Sequence, residues 1–203
     1  MPEYADCLAG WLEIVGVKRP HVLGLSWGAT LALELHRRHS DVPASLVLVG
    51  AYAGWAGSLP PDVVAQRVQR FLAFADLPPE QVIDDFLPTL FSVNAAADVV
   101  EETRRIMRDN AGTYHPAGYR AMLLAMAEAD LRDVLPRIAV PTLLVYGEHD
   151  QRSPLEVAND LRRRIADAEY VVIPGAGHLC NAEAPEAFNA HIRRFLRVDT
   201  SEW

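Results

Sequence analysis

Residues Gly24-Leu25-Ser26-Trp27-Gly28 read G-x-S-x-G. A serine in that pattern can sit on a sharp strand-to-helix turn with its hydroxyl free to attack a carbonyl carbon. The stretch His21–Ser26 before it is short and largely apolar, like a buried strand. Gly28–His39 follows at once, rich in alanine and leucine, and reads as a helix. No room is left for a loop, so the serine backbone is strained, and the helix N-terminus directs partial positive charge at it. The flanking glycines let neighbouring backbone approach closely. A serine nucleophile needs a base, and the base needs an acid to orient it. Of the seven histidines, only His178 follows a terminal strand inside a glycine-rich loop, Pro174-Gly175-Ala176-Gly177-His178. His36, His39 and His191 fall on helical stretches, where exposure to solvent is the simple reading. His115 lies in a helical insertion, and His21 starts the Ser26 strand too far back to reach the serine. For the acid, Asp150 sits just past a strand end in the run Tyr146–Pro154; Glu148 and His149 are weaker candidates, being nearer the strand itself. A loop aspartate alone reads as a turn former. The order Ser, Asp, His, each after a successive strand, gives it a catalytic meaning.

These residues need a frame. Glu3–Val15 predicts an amphipathic helix with Tyr4, Leu8, Trp11, Leu12 and Val15 on one face, closed by Gly16. Ser45–Tyr52 predicts a second buried strand, Pro141–Glu148 a third and Glu169–Gly175 a fourth. Leu155–Ile165 and Ala184–Leu196 predict helices, the latter with Phe188, Ile192 and Phe195 on one face. Alternating strands and helices imply an α/β fold with a parallel sheet of about four strands. Between residues 53 and 139 no strand pattern appears. Asp62–Phe74, Glu80–Leu90, Ala97–Asn110 and Pro116–Ala127 read as helices separated by prolines. That stretch is too long for a crossover and implies a helical insertion. The expected division is a core of residues 1–52 and 140–203 and a helical cap of residues 53–139.

Composition narrows the partners. The chain has 203 residues, half of them apolar, and a formal net charge of -8. An acidic chain whose arginines are scattered over helix faces argues against a nucleic-acid binder. Cys7 and Cys180 form neither a disulfide framework nor a metal-ligand spacing, which fits a reducing compartment. Cys180 reads as a small buried filler. The N-terminus lacks a basic segment followed by an apolar run, and no apolar run is long enough for a membrane span. The expectation is a soluble cytoplasmic protein with no metal or organic cofactor. Around the serine, Trp27, Trp55 and Leu179 are the candidates to line a substrate pocket.

Together, Gly24–Ala29, Val140–Pro154 and Val171–Phe188 resemble an α/β-hydrolase over nearly the whole chain. The texture is similar to cap-bearing carboxylesterases and 3-oxoadipate enol-lactonases. The resemblance implies Ser26 as nucleophile, His178 as general base, Asp150 as orienter and the Trp27 backbone N–H as one oxyanion donor. It implies a small ester or lactone as substrate.

The resemblance also implies that four strands, one helix and an oxyanion loop are absent ahead of residue 1. A misassigned start and a true truncation are both open. Loss of one oxyanion donor costs about 2.7–4 kcal/mol of transition-state stabilisation. The Ser26 strand then becomes a sheet edge, and an apolar open edge invites association, for example as a two-fold dimer. Three functions follow: a serine hydrolase of esters or lactones, a catalytically inactive remnant serving as a binding or assembly module, and C–C bond hydrolysis or perhydrolysis on the same scaffold.

Overall fold

The computed structural model describes residues 1–197. Helix α1 (Pro2–Ile14) leads into strand β1 (His21–Leu25), helix α2 (Trp27–Arg38) and strand β2 (Ser45–Val49). Helices α3 (Trp55–Ser58), α4 (Pro61–Phe74), α5 (Pro79–Phe86), α6 (Ala97–Asp109) and α7 (Pro116–Glu128) follow without an intervening strand. Strand β3 (Thr142–Gly147), helix α8 (Leu155–Arg164) and strand β4 (Glu169–Ile173) resume the alternation. Helices α9 (Cys180–Glu183) and α10 (Pro185–Leu196) close it.

The four strands form one parallel sheet in the order β1-β2-β3-β4. Parallel strands covered on both faces read as continuous apolar runs, which is why β2 and β3 are buried at every position. Their side chains alternate between two layers. Leu46, Leu48, Leu144 and Tyr146 join Ala29 and Leu33 of α2 and Val157 and Leu161 of α8. Val47, Val49, Leu143, Val145 and Ile173 pack on Phe188, Ile192 and Phe195 of α10. Phe71 and Phe74 of α4 and Met126 of α7 belong to the first layer. The helical stretch therefore packs into the same core as the sheet.

One expectation holds and two need correction. The edge position implied for the Ser26 strand is observed: β1 is a sheet edge despite its buried-strand pattern, and Leu23 is 50% exposed. Apolar composition reports what a strand could bury, not its place in the sheet. The predicted single apolar face of α1 is split: Ala5 and Leu12 are buried, whereas Trp11 is 56% and Val15 46% exposed. The helix turns its small alanine, rather than its tryptophan, toward the core. His36 was expected in solvent but is buried, and that burial lowers its pKa.

Among the described residues no helix is long and apolar enough to cross a membrane. Nor does any group of three or more His, Cys, Asp or Glu side chains there form a metal cluster.

Candidate active site

The strand pairing builds the site. Leu25 pairs with Val49, and the Ser26 N–H donates to the Val49 carbonyl at 2.8 Å. The chain then turns sharply into α2 through Ser26, at φ 55° and ψ −112°. A non-glycine residue held there stores about 1–3 kcal/mol of strain. The Ser26 carbonyl accepts from the N–H groups of Ala29 and Thr30. A serine at this helix position ordinarily folds its hydroxyl back onto the first turn. Ser26 makes no such bond, so its hydroxyl remains available. Gly24 lets the turn close: a Cβ there would lie 2.3 Å from the Gly28 carbonyl oxygen. Gly28 has open space at its own Cβ position, so only the first of the two glycines is required by close approach.

Asp150 and His178 meet at the C-terminal ends of β3 and β4. His178 Nδ1 lies 2.8 Å from Asp150 Oδ2, and both side chains are almost completely buried. Asp150 Oδ1 accepts from the backbone N–H groups of Arg152 and Ser153, each at 2.8 Å. With Oδ1 held by two donors and Oδ2 facing the ring, the imidazole proton belongs on Nδ1. That leaves the lone pair on Nε2, the nitrogen able to take a proton. Nε2 is buried and has no hydrogen-bond partner among the described residues, and no hydrogen bond joins it to Ser26 Oγ. Glu148 instead accepts from the Gly175 N–H, and both it and His149 are half exposed. Cys180 is buried, and burial pushes its thiol up to about 12.

Gly50 joins the two halves. It follows Val49, so it sits beside Ser26 in the sheet register, and its φ is +51°. A Cβ there would lie 2.9 Å from His178 Cε1, 3.0 Å from Nδ1 and 3.3 Å from Asp150 Oδ2. Gly50→Ala is expected to lower stability by about 1–2 kcal/mol from the positive φ. It is also expected to displace the ring and cut kcat by roughly tenfold to 100-fold. A melting curve and ester turnover check both; an unchanged melting temperature with unchanged turnover would show that the site tolerates the methyl group.

Ser26, Trp27 and Trp55 line one cavity of about 150 Å³, with Tyr52, Arg67, Phe71, Tyr119 and Arg152 among its other walls. The Trp27 indole donates to the Met122 carbonyl at 3.0 Å, tying the turn to α7. Trp27 opens α2, where the first N–H groups have no partner within the helix. Leu179 lies elsewhere: it packs against Leu87, Leu90 and Phe91, and its N–H donates to the Leu90 carbonyl. Glu183 strengthens that tie by accepting from the N–H groups of both Gly177 and Ser92. Sequence reasoning does not single out Gly50, Glu183, Arg67 or Arg152. A glycine ending the apolar run of β2 is a signal for the first; the others become visible only in three dimensions.

Comparison with known proteins agrees with this architecture. The chain is similar to a pimeloyl-[acyl-carrier protein] methyl ester esterase of Neisseria meningitidis, with 30% identity over 177 residues, 86% of this chain. The chain spans 56% of that relative's length. A thermophilic esterase from Thermogutta terrifontis superimposes with a TM-score of 0.82 at 31% identity, covering 95% of this chain and 70% of the esterase. The enol-lactonase from Burkholderia xenovorans superimposes with a TM-score of 0.79 at 27% identity, covering 95% and 71%. The model of the alpha/beta hydrolase fold matches residues 1–185. A parallel sheet, a strained serine after its first strand and a match over most of the chain's length all agree: the chain belongs to the α/β-hydrolase family.

Proposed function

We propose that the protein is a serine hydrolase of carboxylic esters or lactones, with Ser26 as nucleophile, His178 as general base and Asp150 as its orienter. One observation carries the reading. An unbonded serine hydroxyl on a strained turn and a buried His–Asp pair flank the same residue, Gly50. The similarity to esterases and to an enol-lactonase supports the substrate class.

Ser26 Oγ attacks the carbonyl carbon while His178 Nε2 takes its proton. The carbonyl electron pair moves onto oxygen, where the Trp27 N–H donates to the oxyanion. Collapse expels the alcohol oxygen, which recovers the proton from His178; in a lactone this hydroxyl stays tethered to the acyl group. A water deprotonated by His178 then attacks the acyl-enzyme and releases Ser26. Asp150 holds the ring in the required tautomer and stabilises the imidazolium. Residues 53–139 act as the cap over this centre.

A fluorophosphonate probe tests the assignment. One label is expected, on the peptide containing Ser26, and it should vanish in Ser26→Ala together with turnover of p-nitrophenyl butyrate. Absence of label, with equal background turnover by both proteins, would reject the reading.

A further inference from the structure

Two guanidinium groups stand in the Ser26 cavity, and the proposed acyl transfer uses neither. Arg67 Nη1 donates to the Tyr52 hydroxyl at 2.9 Å and Nη2 to the Arg152 carbonyl at 3.1 Å. Arg152 Nη1 donates to Thr89 Oγ1 at 3.0 Å. Those are neutral acceptors. Among the described residues neither arginine forms an ion pair, although the chain is acidic overall and many of its other arginines are paired with carboxylates. Asp150, whose charge reaches Arg152, has its oxygens committed to His178 and two backbone N–H groups.

Both groups also lie over aromatic faces. Arg152 lies 4.4 Å over Phe86 and 5.2 Å over Phe71; Arg67 lies 5.6 Å over Trp55 and 5.7 Å over Tyr52. Stacking of this kind fixes the planes of the two forks and leaves their edges available. Burial and the neighbouring charge of Arg67 both pull the pKa of Arg152 down. A guanidinium nevertheless stays protonated at neutral pH. Two like charges are thus held, partly desolvated and with no carboxylate bonded to either among the described residues, in the cavity that Ser26 lines. An anion there would relieve their repulsion and accept from donors that are already oriented.

We propose that Arg67 and Arg152 form a carboxylate subsite beside Ser26, so that the preferred ester or lactone carries a free carboxylate. The proposal rests on the hydrolase reading for the word substrate but not for the binding itself. A short half-ester carries the two groups this calls for, an ester carbonyl for Ser26 and a carboxylate for the two forks.

Binding to the Ser26→Ala protein, measured by calorimetry at low salt, tests it without turnover. The probes are monomethyl glutarate and methyl 4-carbamoylbutanoate, in which a neutral amide replaces the carboxylate. The half-ester is expected to bind about tenfold tighter or better. Adding Arg152→Met should abolish that preference, Arg67→Met should reduce it, and Arg152→Lys should restore part of it. Because Arg152 packs on Phe71 and Phe86, a melting curve accompanies each variant; if Arg152→Met does not fold, Arg67→Met decides. Equal affinity for the two probes, no heat from the half-ester, or a preference that survives Arg67→Met and Arg152→Met would overturn the proposal. Carboxylate preference in a wild-type protein that hydrolyses neither probe would reject the hydrolase reading alone. Hydrolysis without preference would reject this one alone.

Discussion

Ser26→Gly is expected to abolish ester hydrolysis and to raise thermal stability in the same protein. The two effects have one cause. Ser26 holds φ 55° and ψ −112° because the strand-to-helix turn demands it, and a non-glycine residue there costs about 1–3 kcal/mol. Glycine adopts that conformation without a Cβ penalty, but loses more backbone freedom on folding, by about 0.5–1 kcal/mol. The net gain is about 0.5–2 kcal/mol, or roughly 1–8 °C in melting temperature for a chain of this size. No stabilising bond is lost, because the hydroxyl does not cap α2. Removing the proposed nucleophile should meanwhile lower kcat by roughly 10⁶-fold, to the background of the bound site. Ser26→Ala separates the two effects: it removes the oxygen, keeps the strain, and should leave the melting temperature nearly unchanged. Calorimetric melting of the three proteins beside p-nitrophenyl butyrate turnover reads both. A lower melting temperature for Ser26→Gly would mean that the hydroxyl stabilises the native turn, and that the strain is not stored for reactivity. Strain of this kind persists only where surrounding structure enforces it. Here the enforcers are the Val49 carbonyl on one side and the first turn of α2 on the other.

How legible such features are depends on the range over which they are determined. Ser26 is marked within five residues, because the sharp turn and the close approach at Gly24 are local. The strands β2 and β3 are legible because burial on both faces makes every position apolar. The nearness of Asp150 to His178 is legible because a parallel sheet brings the C-terminal ends of its strands to one side. Long-range placement is not. The exposure of Trp11 and the burial of His36 depend on which side of a helix meets a neighbour, and helical spacing alone permits either. Gly50 matters because of where His178 and Asp150 come to rest, about 100 or more residues later in the chain. Arg67 and Arg152 read as ordinary surface charges until α4 and the loop after β3 bring them into one cavity. Leu179 is the converse: adjacency to His178 suggested the cleft, but the next residue in a loop points elsewhere, here to Leu90 and Phe91.

The hydrogen bonds around Asp150 carry the last expectation, for Asp150→Asn. An asparagine has the same shape but one end donates. Its oxygen must occupy the Oδ1 position, because the N–H groups of Arg152 and Ser153 both point there at 2.8 Å. The opposite orientation would set an amide donor against two backbone donors in a buried site, at a cost of about 1–3 kcal/mol for each unsatisfied group. The amide nitrogen therefore faces His178 Nδ1, 2.8 Å away in the native pair. It can only donate, so Nδ1 must accept and the ring proton moves to Nε2. The nitrogen that should receive the Ser26 proton is then already protonated. Turnover is expected to fall by about 10⁴-fold while the fold and the cavity are kept. Fluorophosphonate labelling of Ser26 should slow in parallel, since it needs the same base. Asp150→Ala should differ in kind: it leaves two buried N–H donors unpaired and should lower the melting temperature as well as the rate. A variant Asp150→Asn with near-native turnover would show that the ring does not depend on this carboxylate for its tautomer, and would remove Asp150 from the mechanism while leaving Ser26 in it.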